Sequence, residues 1–174
     1  MSNNKVPIED LAYELQLLLG SAEVVKKLEA YDKKQTDDKD KVGNLINYFK
    51  DSAYMHARNL YNFFAADTKN DAKVTQYINT YLFDLTTYHQ WIDALHDHAL
   101  HIKTKRGTTS KSNVINGKHL NEMVPDFADD IKKMWQDWID NTTNSTTRTE
   151  LEDALKSAEE SAESDAEKIT ELLQ

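Results

Sequence analysis

Two stretches of this chain put chemically capable groups where a helix would carry apolar ones. One is Met55-His56-Ala57-Arg58-Asn59-Leu60-Tyr61-Asn62-Phe63-Phe64, and the other runs from Leu95 to Arg106 through His96, His98 and His101. Read as helices, both set histidine on the core-facing stripe, with arginine, asparagine or further histidine alongside. A buried imidazole lowers stability unless it is hydrogen-bonded, so each stretch marks a position where a polar site could be built.

Three chemistries suit these groups. His98 and His101 are three apart and could present two imidazoles to one ion, with His56 as a third from a neighbouring antiparallel helix. No carboxylate or thiolate sits at helical spacing within the histidine seam, and Cys is 0, so no tightly bound transition metal and no cofactor are expected. Arg58, Asn59, His101 and Arg106 are the types that hold a phosphate or carboxylate, and histidine with arginine is also the set used in metal-independent RNA cleavage. The order of Arg before His at a spacing of four to six, typical of helical toxin-type nucleases, is missing. The bland alternative is favoured for both groups. The histidines would be satisfied by backbone, Tyr or Asn, and Arg58 would pair with Asp51 or stack on Tyr54 or Tyr61.

The elements that position these residues follow from apolar periodicity. Val42, Leu45, Phe49, Ala53, His56, Leu60 and Phe63 recur at threes and fours and predict a helix over about residues 41–66. His56 lies in that seam, Asn59 at its edge, and Arg58 about 200° round from His56 on a second face. The seam Trp91, Leu95, His98, Ile102 predicts another helix to about Lys103, opened by a Thr87/Gln90 capping box. His89 and His96 face outward. A first helix follows Pro7 and is expected to end or bend at Gly20, with a short second one from Ser21 to about Tyr31. Val74–Asp84 reads as a short helix carrying Tyr77, Ile78, Tyr81 and Leu82. Residues 104–118 form a polar basic loop, and Pro125 opens a helix with Phe127, Ile131, Trp135, Trp138 and Ile139 on one face. The last helix, from about Thr149, has a narrow alanine-rich stripe.

Gly is 4 and Pro 2 in 174 residues, too few turn residues for a sheet protein of this length. The expected fold is a single all-α bundle of five to seven helices. Residues 1–141 would form the bundle and 142–174 a peripheral acidic helix, dispensable for folding, that serves as a contact for a protein partner or a second copy.

The formal net charge is −9. From Glu150 onward nine acids face two lysines, whereas no acid lies between Asp97 and Glu122. That balance argues against general nucleic-acid binding. No apolar run is long enough for a membrane span or a signal peptide, so the expected location is the cytoplasm.

HARNLxxFF, from His56 to Phe64, followed by H-I-x-x-x-R, from His101 to Arg106, resembles segments of a group of small uncharacterised bacterial helical proteins. The resemblance spans roughly residues 56–106 and leaves out the acidic helix. It implies a helical bundle in which His56, Arg58, Asn59, His101 and Arg106 are the residues to test, and it implies no activity. With His98 from the seam, these form the candidate binding set. The leading expectation is a non-enzymatic helical binding or interaction protein. The alternative is a metal-independent phosphodiesterase or RNase-like enzyme using His101 with Arg58 or Arg106.

Overall fold

The computed structural model describes residues 5–33, 39–65, 73–78, 81–100 and 114–174, and the side chains of residues 39–41 and 97–100 fall outside that set. Among them the chain forms five α-helices: α1 (Ile8–Asp32), α2 (Lys39–Ala65), α3 (Thr86–Leu100), α4 (Val124–Asn141) and α5 (Ser145–Leu172). The only described strands are a small antiparallel hairpin, β1 (Val114–Ile115) and β2 (Lys118–His119). The expected all-α bundle is the observed one. No helix among the described residues is long and apolar enough to cross a membrane.

α1 is one unbroken helix of 25 residues. Gly20 and Ser21 do not end it, because both are buried against neighbours rather than exposed at a turn. Gly20 faces Asp165 of α5, and the Ser21 hydroxyl hydrogen-bonds that of Ser52 on α2 (3.0 Å). A helix whose glycine is packed keeps its backbone bonds and loses only some of its intrinsic propensity.

Cross-helix contacts fix the directions. Glu14 meets His56, Ser21 meets Ser52 and Glu29 meets Lys50, so α1 and α2 run antiparallel. Gln16 meets Ser161 and Gly20 meets Asp165, so α1 and α5 run parallel. α4 turns back into α5 through Thr142–Asn144. There the Asn144 side chain accepts from the Thr147 N–H (2.9 Å), and Arg148 donates to the Thr142 carbonyl (3.0 Å). These bonds satisfy backbone groups that two adjoining helix ends would otherwise leave open. α5 thus begins at Ser145, before the position expected from the Thr/Asn-rich run.

The core is built mainly from aromatic and leucine side chains. Tyr54 and Tyr61 of α2 pack edge-on against Phe127 of α4, and Phe63 and Phe64 meet Trp138. The expected face of α4 is wholly buried. Two readings of local structure give way. Among the described residues of the segment expected as a helix from Val74 to Asp84, only a single 3₁₀ turn forms, at Val74–Gln76, and Leu82 is 91% exposed. Its few apolar residues are used singly, with Val74 and Phe83 in the core. The end of the basic loop is a hairpin turned by Asn116 (φ 52°) and Gly117 (φ 81°). Asn-Gly adopts this left-handed pair readily, which matches strand twist. At the start of α3 it is Asp84 that accepts the Thr86 N–H (3.0 Å).

The sequence division at 141/142 does not coincide with a break in the core. Leu151, Ala158 and Ala162 of α5 belong to the same buried cluster as Leu15, Leu60 and Trp135, and the Trp135 indole N–H donates to the Leu151 carbonyl (3.1 Å). Small side chains bury little area each, but they let two helices approach closely, which is what α5 does along α1.

Ending the chain at Asn141 is therefore expected to abolish the cooperative thermal transition followed by circular dichroism. A single sharp transition with most of the helical signal would show that α1–α4 hold the core alone. Gly20→Ala is expected to raise stability by about 0.5–1 kcal/mol in denaturant titration, since its Cβ would sit at an ordinary 3.6 Å from Asp165 Oδ2. A loss of stability would mean that the α1–α5 approach requires glycine.

Candidate functional site

His56 is buried, at 6% exposure. It does not look towards α3, as the seam suggested, but towards α1, where Nδ1 lies 2.8 Å from Glu14 Oε2. An ionised carboxylate can only accept, so Nδ1 carries the proton of this bond. The amide of Asn59 donates to the same oxygen (3.0 Å). Burial works to raise the Glu14 carboxyl, but the bonds from His56 and Asn59 and the imidazole's charge outweigh it and hold Glu14 below 4.5. The partner of the seam histidine is thus an acid 42 residues upstream, not a tyrosine, an asparagine or the backbone.

Beside this pair, between α1 and α2, opens a cleft of about 390 Å³. Asp10, Glu14, Arg58, Asn59 and Asn62 give it polar walls; Val6, Leu11, Leu60 and Phe63 give it an apolar lining. His56 lies behind Glu14 and does not line it. Helical geometry explains the grouping. Asp10 and Glu14 are one turn apart on α1, while Asn59, Asn62 and Arg58 share an arc of about 100° on α2.

Arg58 is half-buried, and its Nε is closed off from solvent with no hydrogen-bond acceptor. It makes no ion pair among the described residues. Of the two rings proposed for it, Tyr61 stacks on Tyr88 (centroids 5.2 Å apart) and Tyr54 packs edge-on against Phe127, while the Tyr54 hydroxyl donates to the Leu120 carbonyl (3.1 Å) and that of Tyr61 to Asp130 (2.7 Å). Burial pushes the Tyr61 hydroxyl far above its usual range, with the Asp130 charge adding to it. Asp130 is itself raised by burial, opposed by bonds from Tyr61 and Thr87, so this carboxylate ties α2, α3 and α4 together. Asn62 accepts from the Tyr88 hydroxyl (2.7 Å), which leaves its N–H donors for the cleft.

His56, Arg58 and Asn59 are therefore brought together. His98 is on α3, but its side chain, like His101 and Arg106, lies outside the described residues. Glu14, Asp10 and Asn62 were missed by sequence reading. A signal for Glu14 was present: it borders the Leu11–Leu15–Leu18 seam, where an acid faces the same desolvation as a seam histidine. No group of three or more His, Asp or Glu side chains among the described residues is arranged to hold a metal ion. No protein-family model, curated protein or solved structure matches the chain.

Glu14→Gln should lower stability by about 1 kcal/mol at neutral pH, because a charge-assisted bond becomes a neutral one at a partly solvated site. The sign follows from the lowered pKa. The contribution is complete above 4.5, the unfolded value, and is lost as pH falls through the folded value. Denaturant titrations of both proteins from pH 7 downward check this; a difference independent of pH would show that the charge of Glu14 is not what stabilises the contact.

Proposed function

We propose that this protein is a non-enzymatic helical binding protein that takes a small polar ligand into the cleft between α1 and α2. The observation that carries this reading is the state of Arg58. Arg58 lines the cleft as a cation with no ion pair among the described residues, and an arginine so placed is the group that holds a ligand carboxylate or phosphate. Two further features favour binding over chemistry. The acid–base group of the site, His56, is turned onto Glu14 and not onto the cleft. Glu14, Asn59 and Asn62 are already held by hydrogen bonds, so the cleft is preformed, as small-molecule sites usually are.

The resemblance to small bacterial helical proteins points to His56, Arg58 and Asn59 as well, and with it we place the protein in the bacterial cytoplasm. We assign contact with a protein partner or a second copy to the outward acids of α5, separate from the cleft.

Arg58→Met is the test, because methionine can fill the space of the arginine stem without an unmet donor. The variant should be more stable than the wild type by about 1 kcal/mol. In a thermal-shift screen of small polar metabolites, compounds that stabilise the wild type should leave the variant unmoved. An unchanged ligand response in the variant would remove Arg58 from the site. Cleavage of a phosphodiester substrate, lost in both Arg58→Met and His101→Ala, would replace binding with the enzymatic alternative.

A further inference from the structure

The charges lining the α1–α2 cleft are of both signs, and they do not neutralise one another. Arg58 has no acceptor and no ion pair among the described residues. Glu14 uses only Oε2, towards His56 and Asn59, and its Oε1 has no protein donor there. The Asp10 carboxylate, at the exposed mouth one turn from Glu14, likewise has no side-chain partner among the described residues. Ordinarily an arginine sharing a small cleft with two carboxylates would pair with one of them. Here the Glu14 carboxylate is held back by His56 and Asn59, and the two signs stay apart.

Resting on the reading of this cleft as a binding site, we infer that its ligand is a free α-amino acid with an apolar side chain. A ligand carboxylate would meet the Arg58 fork and the free amide N–H of Asn62, a planar bidentate match. The ligand ammonium would meet Glu14 Oε1 and Asp10. Its side chain would lie against Val6, Leu11 and Phe63, which are the apolar part of the lining. A volume of about 390 Å³ is at the small end for ligand pockets and suits a molecule of this size. The alternatives fit less well. A phosphate dianion would be repelled by two carboxylates, and a simple amine would leave Arg58 unmet. His56 acts here as a positioning residue, since it turns the Glu14 carboxylate without touching the ligand.

Isothermal titration of the full chain tests this with L-leucine, L-leucinol, 4-methylpentanoate and inorganic phosphate. These carry both charges, the cation alone, the carboxylate alone, and neither the ammonium nor the side chain. Leucine should bind about tenfold or more tighter than each of the other three, the usual effect of leaving one charged partner unmet. Arg58→Met should weaken leucine by a similar factor. Asp10→Asn, at an exposed position that leaves the fold intact, should weaken leucine but not 4-methylpentanoate, a split that a general structural effect would not produce. Equal or tighter binding of 4-methylpentanoate or phosphate would overturn the amino-acid assignment while leaving an Arg58-dependent binding cleft. The absence of saturable heat with leucine, methionine, phenylalanine and valine would overturn the assignment too. Whether the cleft binds anything at all is then decided separately by the metabolite screen on the wild type and Arg58→Met.

Discussion

Covering α1 is the constraint from which the rest of the architecture follows. Its buried residues are spread around the helix: Leu11, Leu15 and Leu18 face one way, Gly20 and Val24 nearly the opposite way. No single neighbour can cover such a surface. α2 takes one side antiparallel and α5 another in parallel, and the chain must pass through α3 and α4 to bring α5 back in that direction. Alanine at 158, 162 and 166 is what lets a long acidic helix lie close along α1 while its carboxylates stay in water. Low side-chain area in α5 is therefore a condition of close approach, not a sign of weak attachment.

The same contact creates the cleft. Towards its N-terminal end α1 exchanges leucines for Asp10 and Glu14, opposite the stretch of α2 that carries His56, Arg58 and Asn59. Burying His56 requires an acceptor, and Glu14 provides it from across the interface. That bond stabilises the α1–α2 pair and at the same time withdraws Glu14 from Arg58. The more conventional ion pair is thereby lost, and a guanidinium is left facing a partly apolar hollow. Elsewhere in the bundle several buried polar groups are matched in the ordinary way, as in the bond from Tyr61 to Asp130 and that from Tyr54 to the Leu120 carbonyl. The indole N–H of Trp138 and the Gln76 side-chain oxygen share with Arg58 Nε the lack of a partner, and of the three only Arg58 lines the α1–α2 cleft.

Where sequence reasoning went astray, the cause was local evidence standing in for a distant contact. Gly20-Ser21 has the composition of a helix end, and only the neighbours at Asp165 and Ser52 reveal a packed helix interior. Tyr77, Ile78, Tyr81 and Leu82 have helical spacing, but the described residues of the segment hold only one turn of helix, and Leu82 faces water. Asn116-Gly117 was a readable hairpin signal, overlooked because the surrounding residues are basic and polar. The acid partner of His56 could not be found within its own helix, since it comes from α1.

Composition and periodicity alone determined the class of fold, the existence of α2, α3 and α4, the buried face of α4, and the fact that His56 is buried. These depend on the pattern of apolar residues within a few turns, which is a property of the local chain. Tertiary structure decided the continuity of α1, the parallel seat of α5, the pairing of His56 with Glu14, and the isolation of Arg58 from Asp51. Each of these depends on which helix face meets which, and that is set by the burial of the whole molecule at once. A hydrogen bond between residues 42 apart has no period, so no window along the chain could have displayed it.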